Sequence, residues 1–137
     1  MTIIADTGPL SALFNERDRW HSWAVETSQQ ATQPFVICEA VITETFFLLR
    51  HSPKSTKRFT EALQRPEAFR MPWSFEQHHT EVMNLYSKYS DVPSSFVDMC
   101  ILHMASTMKS PIVWTTDHHF QIYRLRGKEK VPTITPE

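Results

Sequence analysis

The chain has 137 residues and a mass of 16.0 kDa, which is the size of one compact domain. Apolar residues make up 41% of the sequence and aromatic residues 12%, enough to bury a core, so disorder is not expected. The only glycines are Gly8 and Gly127. They cannot form the glycine-rich phosphate loops of dinucleotide-binding folds or P-loop NTPases. We expect one globular domain over residues 1–137.

The charges alternate in blocks along the chain. The net charge of −1 argues against a strongly cationic nucleic-acid binder. Residues 1–49 nevertheless carry −4, residues 50–70 carry +4, residues 71–117 carry −3 and residues 118–137 carry +2. A negative pit with a positive rim is compatible with this pattern, and it would suit a metal site that acts on a polyanion.

The cysteines and the N-terminus favour an intracellular protein. Cys38 and Cys100 lie on separate apolar segments, without the spacing of a zinc site or a redox pair. They are expected to be buried, reduced thiols. The N-terminus has neither a basic region nor a long apolar run, so we expect no signal peptide, no membrane span and a cytoplasmic location.

The first half of the chain alternates predicted strands and helices. Thr2-Ile3-Ile4-Ala5 is predicted to be a buried strand, and Asp6-Thr7-Gly8-Pro9 supplies the start of a helix that continues over Leu10–Phe14. The next predicted elements are a helix over Arg19–Ser28, a strand over Phe35–Cys38, a helix over Glu39–Arg50 and a basic helix over Ser55–Gln64.

The second half continues the alternation. Phe69–Trp73 is a candidate strand whose Pro72 places it at a sheet edge. Helices are predicted over Phe75–Tyr89 and, capped by Ser94 or Ser95, over Phe96–Met108. The last predicted elements are a strand over Ile112–Thr115, a helical turn over His119–Leu125 and a final strand at Val131. Strands alternating with helices predict a three-layer α/β fold with a mostly parallel sheet.

Four acidic residues stand where acids are unusual. Asp6 and Asp117 each follow an apolar strand, at the carboxyl ends where parallel sheets keep their sites. Glu44 lies on the apolar stripe of its helix, as does Asp98, in the first turn of another. Buried carboxylates must be paired, protonated or bound to a metal. No Lys or Arg has a spacing that would force a pair, so the four acids favour Mg²⁺ or Mn²⁺.

Ordinary structural roles could also account for three of these acids. Asp6 could cap a helix, Asp98 could interact with a helix dipole, and Asp117 could be a turn residue. Glu44 fits neither a cap nor a turn, because it lies in the middle of a helix.

The same residues resemble the motifs of the PIN-domain ribonucleases, especially the VapC-type toxins of bacterial and archaeal toxin–antitoxin pairs. The resemblance covers nearly the whole chain. Its four short motifs are Ile4-Ala5-Asp6-Thr7-Gly8-Pro9-Leu10, Val41-Ile42-Thr43-Glu44, Phe96-Val97-Asp98 and Trp114-Thr115-Thr116-Asp117-His118-His119-Phe120.

This resemblance implies a PIN-like α/β/α sandwich and metal-dependent cleavage of RNA. It implies that Asp6, Glu44, Asp98 and Asp117 are catalytic and bind Mg²⁺ or Mn²⁺. Neighbouring Thr7, Asp91 and Thr116 are candidates for supporting the ligands. His118 and His119 are interpreted as facing solvent or RNA. The resemblance alone implies an antitoxin partner and a homodimer. The alternative is a degenerate PIN-like domain that binds RNA or a protein without cutting.

Basic residues outside these motifs are candidates for RNA contacts. Those singled out are Lys54, Lys57, Arg58, Arg124 and Arg126. Such residues can bind phosphates, and they can equally form an ordinary solvated face.

Overall fold

A computed structural model describes residues 1–136. A five-stranded parallel sheet has the strand order β3-β2-β1-β4-β7. Its strands are β1 (Thr2–Ala5), β2 (Phe35–Val36), β3 (Phe69–Arg70), β4 (Pro111–Trp114) and β7 (Thr133–Ile134). Six helices flank the sheet, and the predicted three-layer α/β/α class is confirmed. The helices are α1 (Thr7–Phe14), α2 (His21–Gln30), α3 (Glu39–Leu49), α4 (Pro53–Leu63), α5 (Phe75–Lys88) and α6 (Phe96–Thr107).

The core forms on both faces of the central strands. Ile4 and Val113 are fully buried, as expected for strands covered on both sides. Trp114 stacks on Phe35 with a centroid distance of 4.6 Å, and its indole N–H donates to the Thr27 hydroxyl at 2.9 Å. An aromatic side chain can therefore fill the layer between sheet and helices while its polar atom stays satisfied.

Most predicted elements are confirmed within a few residues. The strand predicted over Phe69–Trp73 lies at the sheet edge as expected, but it is shorter, because β3 ends at Arg70, before Pro72. Ser95 caps α6 by accepting a hydrogen bond from the Asp98 amide at 3.0 Å. Cys38 and Cys100 are buried and free, as expected.

The C-terminal region differs from the prediction over His119–Leu125. A short 3₁₀ helix covers His118–Gln121, and the chain then forms a two-stranded antiparallel ribbon of β5 (Arg124–Leu125) and β6 (Glu129–Lys130). The turn between these strands has positive φ angles at Arg126 (50°) and Gly127 (76°). Glycine adopts this conformation readily, whereas arginine rarely does. A turn that begins at an arginine is therefore not expected from the sequence, and the apolar residues of this region alone suggest a helical turn.

The final strand also begins later than predicted. Val131 is buried but lies outside the sheet, and β7 starts after Pro132, whose carbonyl accepts from the Val113 amide at 2.9 Å. Proline has no amide hydrogen to donate, so regular pairing with β4 starts beyond it.

Among residues 1–136, no helix combines the length and apolar character needed to cross a bilayer.

Candidate active site

The carboxyl ends of β1 and β4 form the base of the site. The two strands pair in parallel with Ala5 opposite Trp114, and the Asp6 amide donates to the Trp114 carbonyl at 2.9 Å. This register places Asp6 beside Thr115, although the two residues are far apart in the sequence. Above them lies a cavity of about 330 Å³ whose lining includes Asp6, Glu44, Asp98 and Asp117. The structure therefore places all four predicted acids in the lining of one cavity.

Asp6 is buried and held by two neutral donors. Its Oδ2 accepts from the Thr115 hydroxyl at 2.7 Å, and its Oδ1 accepts from the Thr7 amide at 2.7 Å. The second bond caps α1, so the helix-cap role and the cavity position coexist. Burial raises the pKa of Asp6 to about 7, with smaller contributions from the charges of Asp98 and Asp117.

Asp98 lies in the first turn of α6 and is also buried. Its Oδ2 accepts a hydrogen bond from the Tyr123 hydroxyl at 2.7 Å. Burial raises the pKa of Asp98, and the charge of Asp117 raises it further, while hydrogen bonds from Tyr123 and Ser95 oppose the shift. A second carboxylate is thus held in the cavity by neutral donors.

Asp117 and Glu44 complete the acidic lining and are more exposed. The Asp117 amide donates to the Thr115 hydroxyl at 2.9 Å, so one threonine side chain contacts both strand-end aspartates. Asp117 Oδ1 accepts from the His119 amide at 2.9 Å and lies 3.0 Å from His119 Nδ1. Glu44 reaches the cavity from the middle of α3, where it neither caps the helix nor forms a turn.

Gly8 allows α1 to begin directly beside the loop after β4. A Cβ atom at position 8 would overlap the Thr116 hydroxyl oxygen. Residue 8 must therefore lack a side chain if Thr116 keeps its place in the cavity wall. The neighbouring Thr7 hydroxyl also lies in this wall, and it is the one buried side-chain polar atom of residues 1–136 without a hydrogen-bond partner.

The cavity suits a hard cation. Within residues 1–136, none of its four carboxylates forms an ion pair with Lys or Arg. Ligand atoms of Asp98, Asp117 and His119 lie within 4.8 Å of one another, and these residues would be the ones to hold such an ion. Carboxylate oxygens are preferred ligands of Mg²⁺ and Mn²⁺, and the unpartnered Thr7 hydroxyl could bond an ion-bound water. These donors therefore fit a divalent ion.

The residues predicted to support the acids divide into two groups. Thr7 and Thr116 line the cavity, whereas Asp91 is exposed and lies outside its lining. His118 is exposed, as interpreted from the sequence, but His119 contacts Asp117 within the cavity.

Several residues that position the acids were not assigned site roles from the sequence. From the sequence, Gly8 and Ser95 are expected at helix starts, and Gly8 also belongs to the first motif, but neither is given a role in the site. Thr115 belongs to the fourth motif and Tyr123 to the predicted helical turn, but neither is given a role, because their contacts with Asp6 and Asp98 join distant parts of the chain. The sequence signal for Thr115 is its place at the end of the predicted strand over Ile112–Thr115, two residues before Asp117.

The predicted RNA-contacting residues differ in their availability. Lys54 and Arg58 both face Glu16, at 3.4 and 3.3 Å. Arg124 donates to three nearby backbone carbonyls, and Arg126 lies 4.0 Å from Glu129. Lys57 is exposed and forms no ion pair with any of residues 1–136. These positions remain candidate phosphate contacts, with Lys57 the most available.

A second cluster has the spacing of a metal site, but the nitrogen of His103 that would face the metal carries a proton. His78, Glu81 and His103 offer ligand atoms within 4.8 Å of one another. However, the Trp73 indole N–H donates to His103 Nδ1 at 3.0 Å. Because indole only donates, Nδ1 must be unprotonated, and the proton of neutral His103 lies on Nε2, facing Glu81 at 3.8 Å. Metal binding through Nε2 would break this arrangement, so we assign the cluster to a hydrogen-bond network.

Comparison with known proteins identifies the class that this fold and acidic cavity represent. Residues 3–125 match the family model of the PIN domain, and the chain belongs to that family. Among solved structures, the chain is similar to VapC20 from Mycobacterium tuberculosis, described as a Sarcin-Ricin loop cleaving toxin. The TM-score is 0.72 and the sequence identity 17%, over 85% of this chain and 91% of the other. This likeness concerns the fold. No curated protein sequence matches the chain significantly.

Proposed function

We propose that the protein is a metal-dependent endoribonuclease that hydrolyses RNA phosphodiester bonds and is the toxin of a toxin–antitoxin pair. One observation carries the enzymatic part: four carboxylates meet in one cavity, two of them buried, without a Lys or Arg partner among residues 1–136. Membership of the PIN family and a fold shared with an RNA-cleaving toxin support the choice of RNA.

Asp6, Glu44, Asp98 and Asp117 would hold Mg²⁺ or Mn²⁺, and Thr7 and Thr116 would support bound water. A divalent ion in such a site supplies a water of lowered pKa and offsets charge on phosphate oxygens. The chain contributes the geometry. The β1–β4 register fixes Asp6, the starts of α1 and α6 place two aspartates at the positive ends of helix dipoles, and α3 brings Glu44 from the side.

The decisive experiment compares wild type, Asp98→Asn and Asp91→Asn on structured and single-stranded RNAs with Mn²⁺, Mg²⁺ or EDTA. Asp98→Asn keeps the side-chain size while removing a cavity charge, and Asp91→Asn makes the same change at an exposed position outside the cavity. We expect discrete fragments from wild type and Asp91→Asn with metal, and none with EDTA or from Asp98→Asn.

The opposite result would favour a domain that binds without cutting. No cleavage by wild type, together with no rise in melting temperature on adding Mn²⁺ or Mg²⁺, would mean that the acids do not form a working metal site. The same titrations identify the preferred ion, because the ion that raises the melting temperature more should also support faster cleavage.

An antitoxin partner and a homodimer belong to the same proposal. Large apolar side chains are exposed near the cavity and on α5: Phe47 and Leu48 of α3 are 58% and 47% exposed, and Tyr86 of α5 is 45% exposed. Leu48 also lines the acidic cavity. Such surfaces are typical of protein contacts. Light scattering of the purified chain tests the dimer, and co-purification with the product of an adjacent short reading frame tests the antitoxin.

A further inference from the structure

Tyr123 connects the acidic cavity to the aromatic core. Its side chain is fully buried, and its hydroxyl donates to Asp98 Oδ2 at 2.7 Å. The ring makes edge contacts with Tyr89 at 5.0 Å and with Phe120 at 5.1 Å. A ring fixed on two sides holds its hydroxyl in one place, so the hydrogen bond restricts the rotation of the Asp98 carboxylate.

The same short segment also carries Asp117. Asp117 caps the 3₁₀ helix His118–Gln121, and the Tyr123 amide then donates to the His119 carbonyl at 3.3 Å. Asp117, His119 and the tyrosine that contacts Asp98 are therefore parts of one folded unit. The candidate ligand atoms of Asp98, Asp117 and His119 lie within 4.8 Å of one another. This one segment carries Asp117 and His119 and contacts Asp98 through Tyr123.

Tyr123 is suited to this task because it donates without adding charge. A phenol ordinarily loses its proton only at about pH 10, and the Tyr123 hydroxyl donates its hydrogen bond to Asp98 Oδ2. The phenol therefore keeps its proton at neutral pH. A lysine or arginine at this position would neutralise Asp98 and compete with a bound cation, whereas a phenol leaves the carboxylate charge available.

We propose that Tyr123 is a positioning residue that orients Asp98 for binding of the divalent ion. The inference rests on the proposed function, since it requires Asp98 to be a metal ligand. Hydrogen-bond partners of metal ligands fix ligand orientation, and their removal typically weakens metal binding by roughly 10- to 100-fold.

The test is a Mn²⁺ titration of wild type, Tyr123→Phe and Tyr89→Phe by calorimetry, alongside thermal melts. Tyr89→Phe is the matched control. It removes a hydroxyl from the same aromatic cluster, but that hydroxyl accepts from the Arg124 amide and does not contact a carboxylate. We expect Tyr123→Phe to weaken Mn²⁺ binding about ten-fold and Tyr89→Phe to leave it within about two-fold of wild type. RNA cleavage by Tyr123→Phe should recover at saturating Mn²⁺.

Each other outcome has a defined meaning. If Tyr123→Phe binds Mn²⁺ as tightly as wild type, the positioning role is wrong while the proposed nuclease stands. If wild type itself binds no Mn²⁺ and cuts no RNA, both proposals fall. If Tyr123→Phe and Tyr89→Phe weaken binding equally, loosened aromatic packing accounts for the effect and the inference is overturned. Should Tyr123→Phe be unfolded at the titration temperature, all three proteins are titrated in the cold with a stabilising osmolyte, and an unchanged Mn²⁺ affinity there contradicts the proposal.

Discussion

Replacing Asp6 with asparagine should make the metal-free protein more stable, although it should abolish activity. The pKa of Asp6 is raised from 3.8 to about 7 because burial disfavours the ionised form. A carboxyl group whose folded pKa is raised binds its proton more tightly in the folded protein. The stability of wild type therefore falls as pH rises from 3.8 to about 7, and the loss is complete above 7.

The size of the effect follows from the shift. The folded and unfolded pKa values differ by about three pH units, and each unit corresponds to about 1.4 kcal/mol. Ionised Asp6 thus lowers the free energy of unfolding by something on the order of 4 kcal/mol at pH 8. Asn at position 6 avoids this loss and can still accept from the Thr7 amide. We expect Asp6→Asn to melt up to roughly 10 °C higher at pH 8 in EDTA.

The assay is a set of thermal and urea melts in EDTA at pH 8, 6 and 5, repeated with excess Mn²⁺. The advantage of Asp6→Asn should shrink as pH falls below about 7, and Mn²⁺ should stabilise wild type more than the variant. Asp91→Asn, an exposed control, should show neither trend. An Asp6→Asn protein that is no more stable than wild type at pH 8 in EDTA would refute the reasoning.

Three further outcomes follow from the structure. Gly8→Ala should lower the melting temperature by a few degrees, about 1–3 kcal/mol, and Thr116→Ala in the same chain should recover much of the loss, because it removes the overlapping oxygen. Burial lowers the pKa of His103, so its neutral form is favoured in the folded state; the stability advantage of wild type over His103→Asn should therefore shrink as pH falls below 6.5 in denaturant melts. Lys57→Glu should weaken RNA cleavage several-fold at low salt and less at high salt, with an unchanged melting temperature, as kcat/KM measurements at two ionic strengths would show.

The sequence predicted the layers of the fold because its apolar segments are short, separate and of clear period. Asp6 could be placed at the carboxyl end of a strand because it follows an apolar run directly, and Asp117 because only two threonines separate it from another such run. Glu44 could be placed because an acid on the apolar stripe of a helix, away from both helix ends, serves neither as a cap nor as a turn residue. The acids were thus visible as local exceptions to a regular pattern.

The groups that hold those acids were not visible in the same way. Thr115 contacts Asp6 across 109 positions of sequence, and Tyr123 contacts Asp98 across 25. Neither threonine nor tyrosine is unusual at the end of a strand or after a short helix, so no local rule singles them out. The β5–β6 ribbon was missed for a related reason, since each strand has only two residues and Arg126 adopts a positive φ.

The neutral donors around Asp6 and Asp98 are consistent with the proposed cation site. Thr115, the Thr7 amide and Tyr123 fix the orientation of Asp6 and Asp98 without supplying positive charge. An arginine could fix a carboxylate equally well, but it would satisfy the charge and leave no electrostatic reason to bind a metal. With hydroxyl and amide donors the geometry is preformed while the charge of ionised Asp6 and Asp98 remains uncompensated, and in the proposed metal site a divalent ion would offset that unfavourable free energy. On the proposed function, binding of the ion would therefore stabilise the protein in the same step that makes it active.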